Sequence, residues 1–336
     1  EDNYKKAISL NPNYAEAYNN LGVALKELGK LKESEDNYKK AISLNPNYAE
    51  AYYNLGITKR NLGKLNEAIT ANKNAIKINQ NYIEAYNNLG LVLKELGKLK
   101  ESEDNYKKAI SLNPDYADAY NNLSFTKMLQ KKFREAFKLS EWRWKTNQNV
   151  GKRLITNKPI WKGERNKSIF IWKEQGIGDE IMFFSVLKEA IEISKKIIVN
   201  CDKRLIPLFK RSLKGNIIFE SDIKKVDKNE YDYHLPAGSL PSIFRNDLES
   251  FSNSSRGYLK ADKIKASEYR KKLLKGKNLK LIGISWQTKS NIEMATFRNI
   301  ALIDLVLKLN RKDTKLINLQ YGDTSDEISN LKKNNG

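Results

Sequence analysis

The first half of the chain has a hydrophobic pattern with helical spacing that recurs every 34 residues. Within each copy, apolar positions lie three or four residues apart, as they do along one face of a helix. The positions in register are Tyr18, Tyr52, Tyr86 and Tyr120, then Leu21, Leu55, Leu89 and Leu123, then Gly22, Gly56, Gly90 and Ser124. The pattern predicts a helix pair in each copy, helix A near 15–28 and helix B near 32–44 in the first full copy.

Small and helix-breaking residues complete the repeat. The small positions are Ser34, Ala68, Ser102 and Ala136, followed by Ala41, Ala75 and Ala109, and the breakers are Pro12, Pro46 and Pro114. Small side chains let two helices approach closely, and proline ends the second helix. Period and identities resemble the tetratricopeptide repeat (TPR). The resemblance implies an α-solenoid with a concave groove over 1–145, made of a partial copy and four copies, the last degenerate.

One asparagine position recurs in helix A of every full copy, at Asn20, Asn54, Asn88 and Asn122. A column of amide side chains could bind the backbone of an extended protein or peptide partner. It resembles the asparagine ladder of TPR-containing O-linked N-acetylglucosamine transferases. The alternative is that asparagine is frequent at this position and meets water. Residues 1–13 recur unchanged at 35–47, which indicates duplication and predicts copies that are not specialised for different contacts.

The array changes character at its end. Trp142 and Trp144 appear where the last helix B ends, and we expect them to dock the array on the next domain. Residues 146–167 are polar and irregular, and we interpret them as a linker.

Strands and helices alternate after this segment. Predicted strands cover 168–172, 196–200, 216–219 and 231–235, and predicted helices cover 179–194, 204–213 and 239–245. Such alternation predicts a parallel sheet with helices on both faces, over a domain at 168–260. A second module at 261–336 holds helices at 264–274, 302–309 and 324–332 and strands at 279–286 and 315–320. Two strands do not make a complete sheet domain, so we expect this half to be truncated.

A glycine turn follows the first strand of this region. Gly176 and Gly178 separate the strand from a helix that opens at Asp179, an arrangement that brings backbone close to a ligand. Asp179 could act as a general base, or it could simply cap its helix. His234, at the end of a later strand, could be a second base or a structural histidine.

Four motifs in the second half carry a resemblance to a known family. They are WKEQGIGDEIMFF at 172–184, DYHLPAGSLP at 232–241, GISWQT at 283–288 with Arg298 downstream, and NLQ at 318–320. In order and spacing they resemble the heptosyltransferases of glycosyltransferase family nine, which have the GT-B architecture of two Rossmann-like halves. The resemblance implies Asp179 as general base, Gly176, Gly178 and His234 on the acceptor side, and phosphate contacts to the donor from the residues Ser285, Trp286, Thr288 and Arg298.

Two functions fit these observations. The first is a bacterial TPR-containing glycosyltransferase that moves a sugar from a nucleotide-sugar to a hydroxyl on a protein or glycan carrier, without a metal or a further cofactor. The alternative is a TPR protein–protein interaction scaffold with an inactive transferase-like domain. Whether the chain is an enzyme stays open at this point.

Composition narrows the remaining classes. Lys and Arg number 61 against 40 Asp and Glu, a net charge of +21, but the basic residues are spread along the chain and no nucleic-acid-binding motif is present. We therefore do not expect nucleic acid as the partner. One cysteine, Cys201, and one histidine exclude an internal disulfide and a Cys/His zinc cluster. No apolar run is long enough for a membrane span, and we expect a cytoplasmic protein.

Overall fold

The computed structural model describes residues 1–147, 153–254, 257–287 and 299–335. The chain divides into two compact units, Glu1–Lys260 and Ala261–Gly336. The first unit contains the helical array and a parallel sheet, and the second contains a smaller sheet.

The array is a run of antiparallel helix pairs. Its helices are α1 Asp2–Leu10, α2 Ala15–Glu27, α3 Leu31–Leu44, α4 Ala49–Asn61, α5 Leu65–Ile78, α6 Ile83–Glu95, α7 Leu99–Leu112, α8 Ala117–Leu129 and α9 Phe133–Ser140. The helices predicted for the first copy are confirmed to within one residue at each end. We call α2, α4, α6 and α8 the A helices and the others the B helices.

Glycine serves two purposes in the pairs. A Cβ atom on Gly22 would lie 2.7 Å from the ring of Tyr38, and one on Gly56 would lie 2.5 Å from the amide of Asn72. These glycines therefore allow the two helices of a copy to touch. Gly29 has a φ of +75° just after α2, a left-handed conformation that glycine adopts without strain.

Buried ion pairs join some copies and not others. Lys59 of α4 donates to Glu35 of α3 at 2.6 Å, and Lys127 of α8 pairs with Glu103 of α7 at 3.0 Å. Burial by itself would raise the pKa of Glu35, but hydrogen bonds from Lys39, Lys59 and Lys64 outweigh it and lower that pKa to about 2.

The corresponding positions between the second and third copies are apolar, at Ile69 and Leu93. The junctions thus follow a double-length period, with ion pairs at the first and third and apolar side chains at the second. Substitutions at these few positions separate the two kinds of junction, and the expectation that the copies are not specialised for different contacts stays a prediction.

The sheet of the first unit has four parallel strands in the order β3-β2-β1-β4. Its elements are β1 Ser168–Trp172, α10 Ile177–Phe183, α11 Leu187–Ile193, β2 Lys196–Asn200, α12 Ile206–Ser212, β3 Ile217–Glu220, β4 Tyr233–Pro236 and α13 Pro241–Phe244. The helix predicted over 179–194 is instead two helices, because a 3-10 turn at Phe184–Val186 separates α10 from α11. This turn buries Phe184 against Phe209, with ring centroids 5.3 Å apart.

The two faces of this sheet are covered differently. Ile169 and Ile171 belong to a core that also contains Leu187 and Phe209 of the flanking helices. Phe170 and Trp172, which alternate with them, pack with Tyr231 and with Trp144 from the end of the array. The prediction of helices on both faces therefore needs correction, because the array end occupies part of the second face.

Part of the segment interpreted as a linker is built into the sheet. The backbone N–H of Trp161 donates to the carbonyl of His234 at 2.9 Å, and the N–H of His234 donates to the carbonyl of Pro159 at 3.0 Å. The Trp161 side chain is buried, and its indole N–H donates to the carbonyl of Glu164 at 3.0 Å. Residues 159–161 thus extend the sheet beside β4.

The second unit contains a two-stranded parallel sheet flanked by helices. Its elements are α14 Lys263–Leu274, β5 Lys280–Ile284, α15 Leu302–Leu309, β6 Thr314–Asn318 and α16 Ser325–Asn335. The chain therefore begins with a helical array, and each of the two units contains a parallel sheet with helices. Among the described residues, no helix has the length and apolarity needed to cross a membrane.

Candidate functional site

The A helices form one continuous layer, since each contacts the next A helix along the array. We call the exposed side of this layer the A-helix face. Tyr53 and Tyr82 meet on it, with ring centroids 5.1 Å apart. Burial, together with the charges of Tyr53 and Glu50, raises the pKa of Tyr82, so its hydroxyl stays protonated at neutral pH. This pair gives the face two adjoining aromatic rings.

The four predicted asparagines do not occupy equivalent surroundings. Asn20 is exposed, whereas Asn54 and Asn88 are buried. The amide of Asn54 donates to Asn19 of the preceding copy at 3.1 Å, and that of Asn122 donates to Asn87 at 3.1 Å. One donor of these amides is therefore used to join neighbouring copies, and binding of a peptide by the column stays a prediction.

The end of the A-helix face is apolar and open. Phe125 and Leu129 of α8 expose 48% and 58% of their surface. The ammonium of Lys94 lies 5.6 Å from the centre of the Phe125 ring, a cation–π contact. Lys94 is half-buried in the layer, and this burial lowers its pKa. Large exposed apolar side chains beside a half-buried cation make this end a candidate for contact with a partner.

A second candidate region lies at the carboxyl ends of β1 and β4. We call residues 173–179 and 236–239 the strand-end loops. The chain proceeds from β1 toward β2 and β3 on one side, while β4 lies on the other, so these loops flank a topological switch point. Ligands of open α/β sheets bind at such points.

The predicted general base has a structural partner here. The carboxylate of Asp179 accepts a hydrogen bond from the N–H of Gly176 at 3.2 Å, within the first turn of α10. Gly176 has an ordinary φ of −79°, and a Cβ on Gly178 would meet nothing within 4 Å. The structure therefore gives Asp179 a capping role and shows no steric need for either glycine.

His234 is buried and bonded inside the sheet. Its Nδ1 atom accepts a hydrogen bond from the indole N–H of Trp172 at 3.1 Å. Burial, and secondarily the charge of Arg153, lowers the pKa of His234, so the ring is neutral at pH 7. These surroundings support the interpretation of His234 as a structural histidine rather than a second base.

A buried arginine joins the array to the strand-end loops, and sequence reasoning missed it. Arg143, in the 3-10 turn Glu141–Lys145, donates to both carboxylate oxygens of Glu174 at 2.8 and 3.1 Å and to the hydroxyl of Ser239 at 2.8 Å. Burial would lower the pKa of Arg143, but its carboxylate partners outweigh this and raise it. The only signal in the sequence was the flanking tryptophans, of which Trp144 does dock, at 5.4 Å from Trp172.

Glu174 also explains a glycine that the sequence left without a role. The N–H of Gly238 donates to the Glu174 carboxylate, and a Cβ on Gly238 would lie 2.3 Å from the same oxygen. A side chain at 238 would therefore have to displace the Glu174 carboxylate that Arg143 holds.

In the second unit, the predicted donor residues also have internal partners. Ser285 donates to the side-chain oxygen of Gln320 at 3.0 Å, and the indole of Trp286 donates to Glu327 at 2.6 Å. Thr288 and Arg298 lie outside the described residues. Within the described ranges, no group of three or more His, Cys, Asp or Glu side chains is arranged to hold a metal ion.

Comparison with family models identifies the array. Tetratricopeptide repeat models match residues 15–48, 83–116 and 37–70, and a TPR repeat model matches 58–97. The chain therefore contains TPR repeats. These matches all fall within 15–116, so the resemblance of the later region to heptosyltransferases stays a prediction.

Individual relatives are similar to this chain over part of their length. Protein FlbA of Caulobacter vibrioides is 27% identical over 195 residues, covering 52% of this chain and 32% of FlbA. The chain thus spans about a third of that curated relative.

Similar solved structures cover the array. The crystal structure of MamA is 29% identical with a TM-score of 0.40, covering 45% of this chain and 88% of MamA. The first TPR of Spaghetti (RPAP3), solved with the HSP90 peptide SRMEEVD, is 25% identical with a TM-score of 0.34, covering 34% of this chain and 92% of that domain. TTC0263 of Thermus thermophilus is 22% identical with a TM-score of 0.39, covering 44% of this chain and 81% of TTC0263.

Proposed function

We propose that the chain is a protein-interaction scaffold whose A-helix face binds an extended segment of a partner protein. The observation that carries this proposal is the open apolar end of the face at Phe125 and Leu129. Covering such side chains gains about 25 cal/mol for each Å² of apolar surface removed from water. An extended segment can follow the layer from helix to helix and so contact several copies at once.

Polar groups on the same face would position the segment. The free capacity of the amides, beyond their bonds to the neighbouring copy, can meet main-chain N–H and C=O groups. The tyrosine pair at 53 and 82 adds rigid rings that lose little entropy on binding. Side-chain pockets and main-chain contacts together are what recognition of an extended peptide requires.

The experiment is selection from a library of random peptides on the full chain, followed by fluorescence anisotropy with the selected peptides. A variant with Phe125→Ala and Leu129→Ala removes the apolar end. Leu10→Ala is the matched control, since Leu10 is 79% exposed on a B helix. We expect the double variant to weaken binding about tenfold or more and the control to leave it unchanged. Selected peptides that bind the double variant as well as the wild type would overturn the proposal.

A second candidate is transfer of a sugar from a nucleotide-sugar to a hydroxyl. It is favoured by one observation, the position of the loop that holds Asp179 at a topological switch point of the sheet. In this function Asp179 would take the proton of the acceptor hydroxyl on Oδ1, the carboxylate oxygen that does not accept from the Gly176 N–H.

The test of this second function is release of nucleotide from UDP-, GDP-, ADP- and CMP-sugars, with cell lysate supplying acceptors. Turnover that Asp179→Asn abolishes without loss of donor binding would support transfer. Turnover that is absent, or unchanged in the variant, would remove this candidate.

A further inference from the structure

A cavity of about 450 Å³ lies in the first unit where the array meets the sheet. We call it the seam cavity. One wall is α9, and the other is formed by residues 160–162 and by the chain from the end of β4 through α13. Its volume falls within the range of about 300 to 1,000 Å³ that small-molecule sites occupy. Neither the array nor the sheet alone would form it.

The cavity has an apolar floor. Phe137 of α9 is buried, as are Trp161 and Leu235 from the sheet side. Trp161 is fixed in place, because its indole N–H already donates to a backbone carbonyl at 3.0 Å and its ring packs 6.0 Å from that of Phe244. These three side chains are covered by the protein itself, and the half-buried Ile160 and Ile243, which also line the cavity, present the preformed apolar surface to a ligand.

The rim of the cavity is basic. Arg134 and Lys138 lie one helical turn apart on α9, and Lys162 faces them from the sheet side. None of these three cations forms an ion pair in the part of the chain that the structure describes. Three positive charges that surround one opening favour an anion that can accept several hydrogen bonds.

The acidic side chain at the cavity does not neutralise this rim. Glu141 accepts a hydrogen bond from Arg143 at 3.0 Å and another from the hydroxyl of Ser239. Arg143 is shared between Glu141 and Glu174, so one carboxylate charge stays beside the cavity, against the three cations of the rim. Ser242 likewise spends its hydroxyl on the carbonyl of Ser239 at 2.6 Å. The side chains left to recognise a charged ligand are the three cations.

We propose that the seam cavity binds a small organic phosphate, with its apolar body against the floor at Ile160 and Ile243 and its phosphate between Arg134, Lys138 and Lys162. A phosphate monoester carries close to two negative charges at pH 7 and three acceptor oxygens. It therefore suits three separate cations better than a ligand with a single carboxylate group would. Because the walls come from both the array and the sheet, the ligand would also hold these two parts together.

The probe is phenyl phosphate, titrated into the full chain by isothermal calorimetry, with inorganic phosphate and phenol as its two halves. We expect phenyl phosphate to bind at least about tenfold more tightly than either half, since only the intact probe uses both floor and rim. Equal binding of inorganic phosphate would overturn the proposal, because it would show only a basic surface.

Variants locate the site. Arg134→Ala with Lys138→Ala should weaken phenyl phosphate about tenfold or more, since each removes a charged hydrogen bond. The control is Lys132→Ala, an exposed cation just before α9 that does not line the cavity. Ser242→Leu fills the cavity without changing charge and should also abolish binding. Binding that survives Ser242→Leu, in protein whose melting temperature shows it folded, would place the probe elsewhere and contradict the proposal.

Discussion

The A-helix face and the strand-end loops differ in how their side chains are engaged. On the A-helix face, Phe125 and Leu129 are largely exposed, and the asparagines use only part of their hydrogen-bonding capacity. In the strand-end loops, Asp179 caps its own helix and Glu174 is held by Arg143. On the A-helix face, side chains are available to contact a partner, whereas in the strand-end loops they are hydrogen-bonded within the protein.

A ligand-binding motif in a sequence therefore does not show whether its polar side chains are free to bind a ligand. The glycine turn stands where α/β sheets bind ligands, yet its polar side chains have structural partners. Mutations in the strand-end loops should therefore change the free energy of unfolding. Mutations on the A-helix face should change binding and leave stability almost unchanged.

The largest expected effect is that of Arg143→Ala. Removing this arginine leaves the carboxylate of Glu174 buried and without its cation, which should lower the free energy of unfolding by about 3–5 kcal/mol in urea denaturation. Lys145→Ala is the control, because Lys145 is 61% exposed, and it should cost less than about 1 kcal/mol. Adding Glu174→Gln to Arg143→Ala should recover part of the loss. No recovery would show that the pair is not coupled.

His234 should make stability depend on pH. Its pKa in the folded protein lies below the usual 6.5, so its contribution is complete above pH 6.5 and is lost as the pH falls through the folded pKa. The free energy of unfolding, measured by urea denaturation from pH 7.5 to 5, should fall in the wild type. His234→Gln should be less stable at pH 7.5 by about 1–3 kcal/mol and should lack that part of the slope.

The difference between the two proteins isolates the histidine. Burial also raises the pKa of Glu180, but that effect is common to both proteins. Identical slopes in wild type and variant would mean that His234 is not held neutral by the fold.

Asp179→Asn should have a small effect. An asparagine side chain can still accept from the Gly176 N–H, so we expect a loss of about 0.5 kcal/mol or less in thermal unfolding. Binding of a selected peptide to the array should not change. A loss of several kcal/mol would show that the carboxylate charge itself stabilises the loop.

The smallest expected effect on stability belongs to the A-helix face. Phe125→Ala with Leu129→Ala should change the free energy of unfolding by no more than about 0.5 kcal/mol, since about half of each side chain is already exposed and the higher helix propensity of alanine offsets part of the lost packing. Circular dichroism melts of the variant and the wild type should nearly overlap. A cooperative loss of stability would mean that these side chains stabilise the fold, which would contradict the stated difference between the A-helix face and the strand-end loops.

The array could be predicted from sequence because its signals are local and repeated. The bounds of α2 and α3 follow from hydrophobic spacing within one copy. The two kinds of junction could also be predicted from the sequence, since Thr58 and Lys59 recur 68 residues later as Thr126 and Lys127. This 68-residue period is not seen when the copies are compared only at the positions that all of them share.

The remainder depends on contacts between distant parts of the chain. Arg143 meets Ser239 across 96 residues, and no local pattern reports such a partner. The burial of Trp161 likewise requires β4 beside it, where its backbone partner His234 is 73 residues later in the chain. The strands themselves were predicted well because each is a short apolar run, whereas the break between α10 and α11 depends on where Phe184 is buried.

Hydrogen–deuterium exchange of the full chain, with and without a peptide selected from the library, is the most direct test of whether the A-helix face binds an extended segment. If the chain is a scaffold that binds extended segments, amides of the A helices should gain protection, above all near Phe125 in α8. The strand-end loops should exchange as before. Protection confined to 173–179 and 236–239, or to the B helices, would contradict the account.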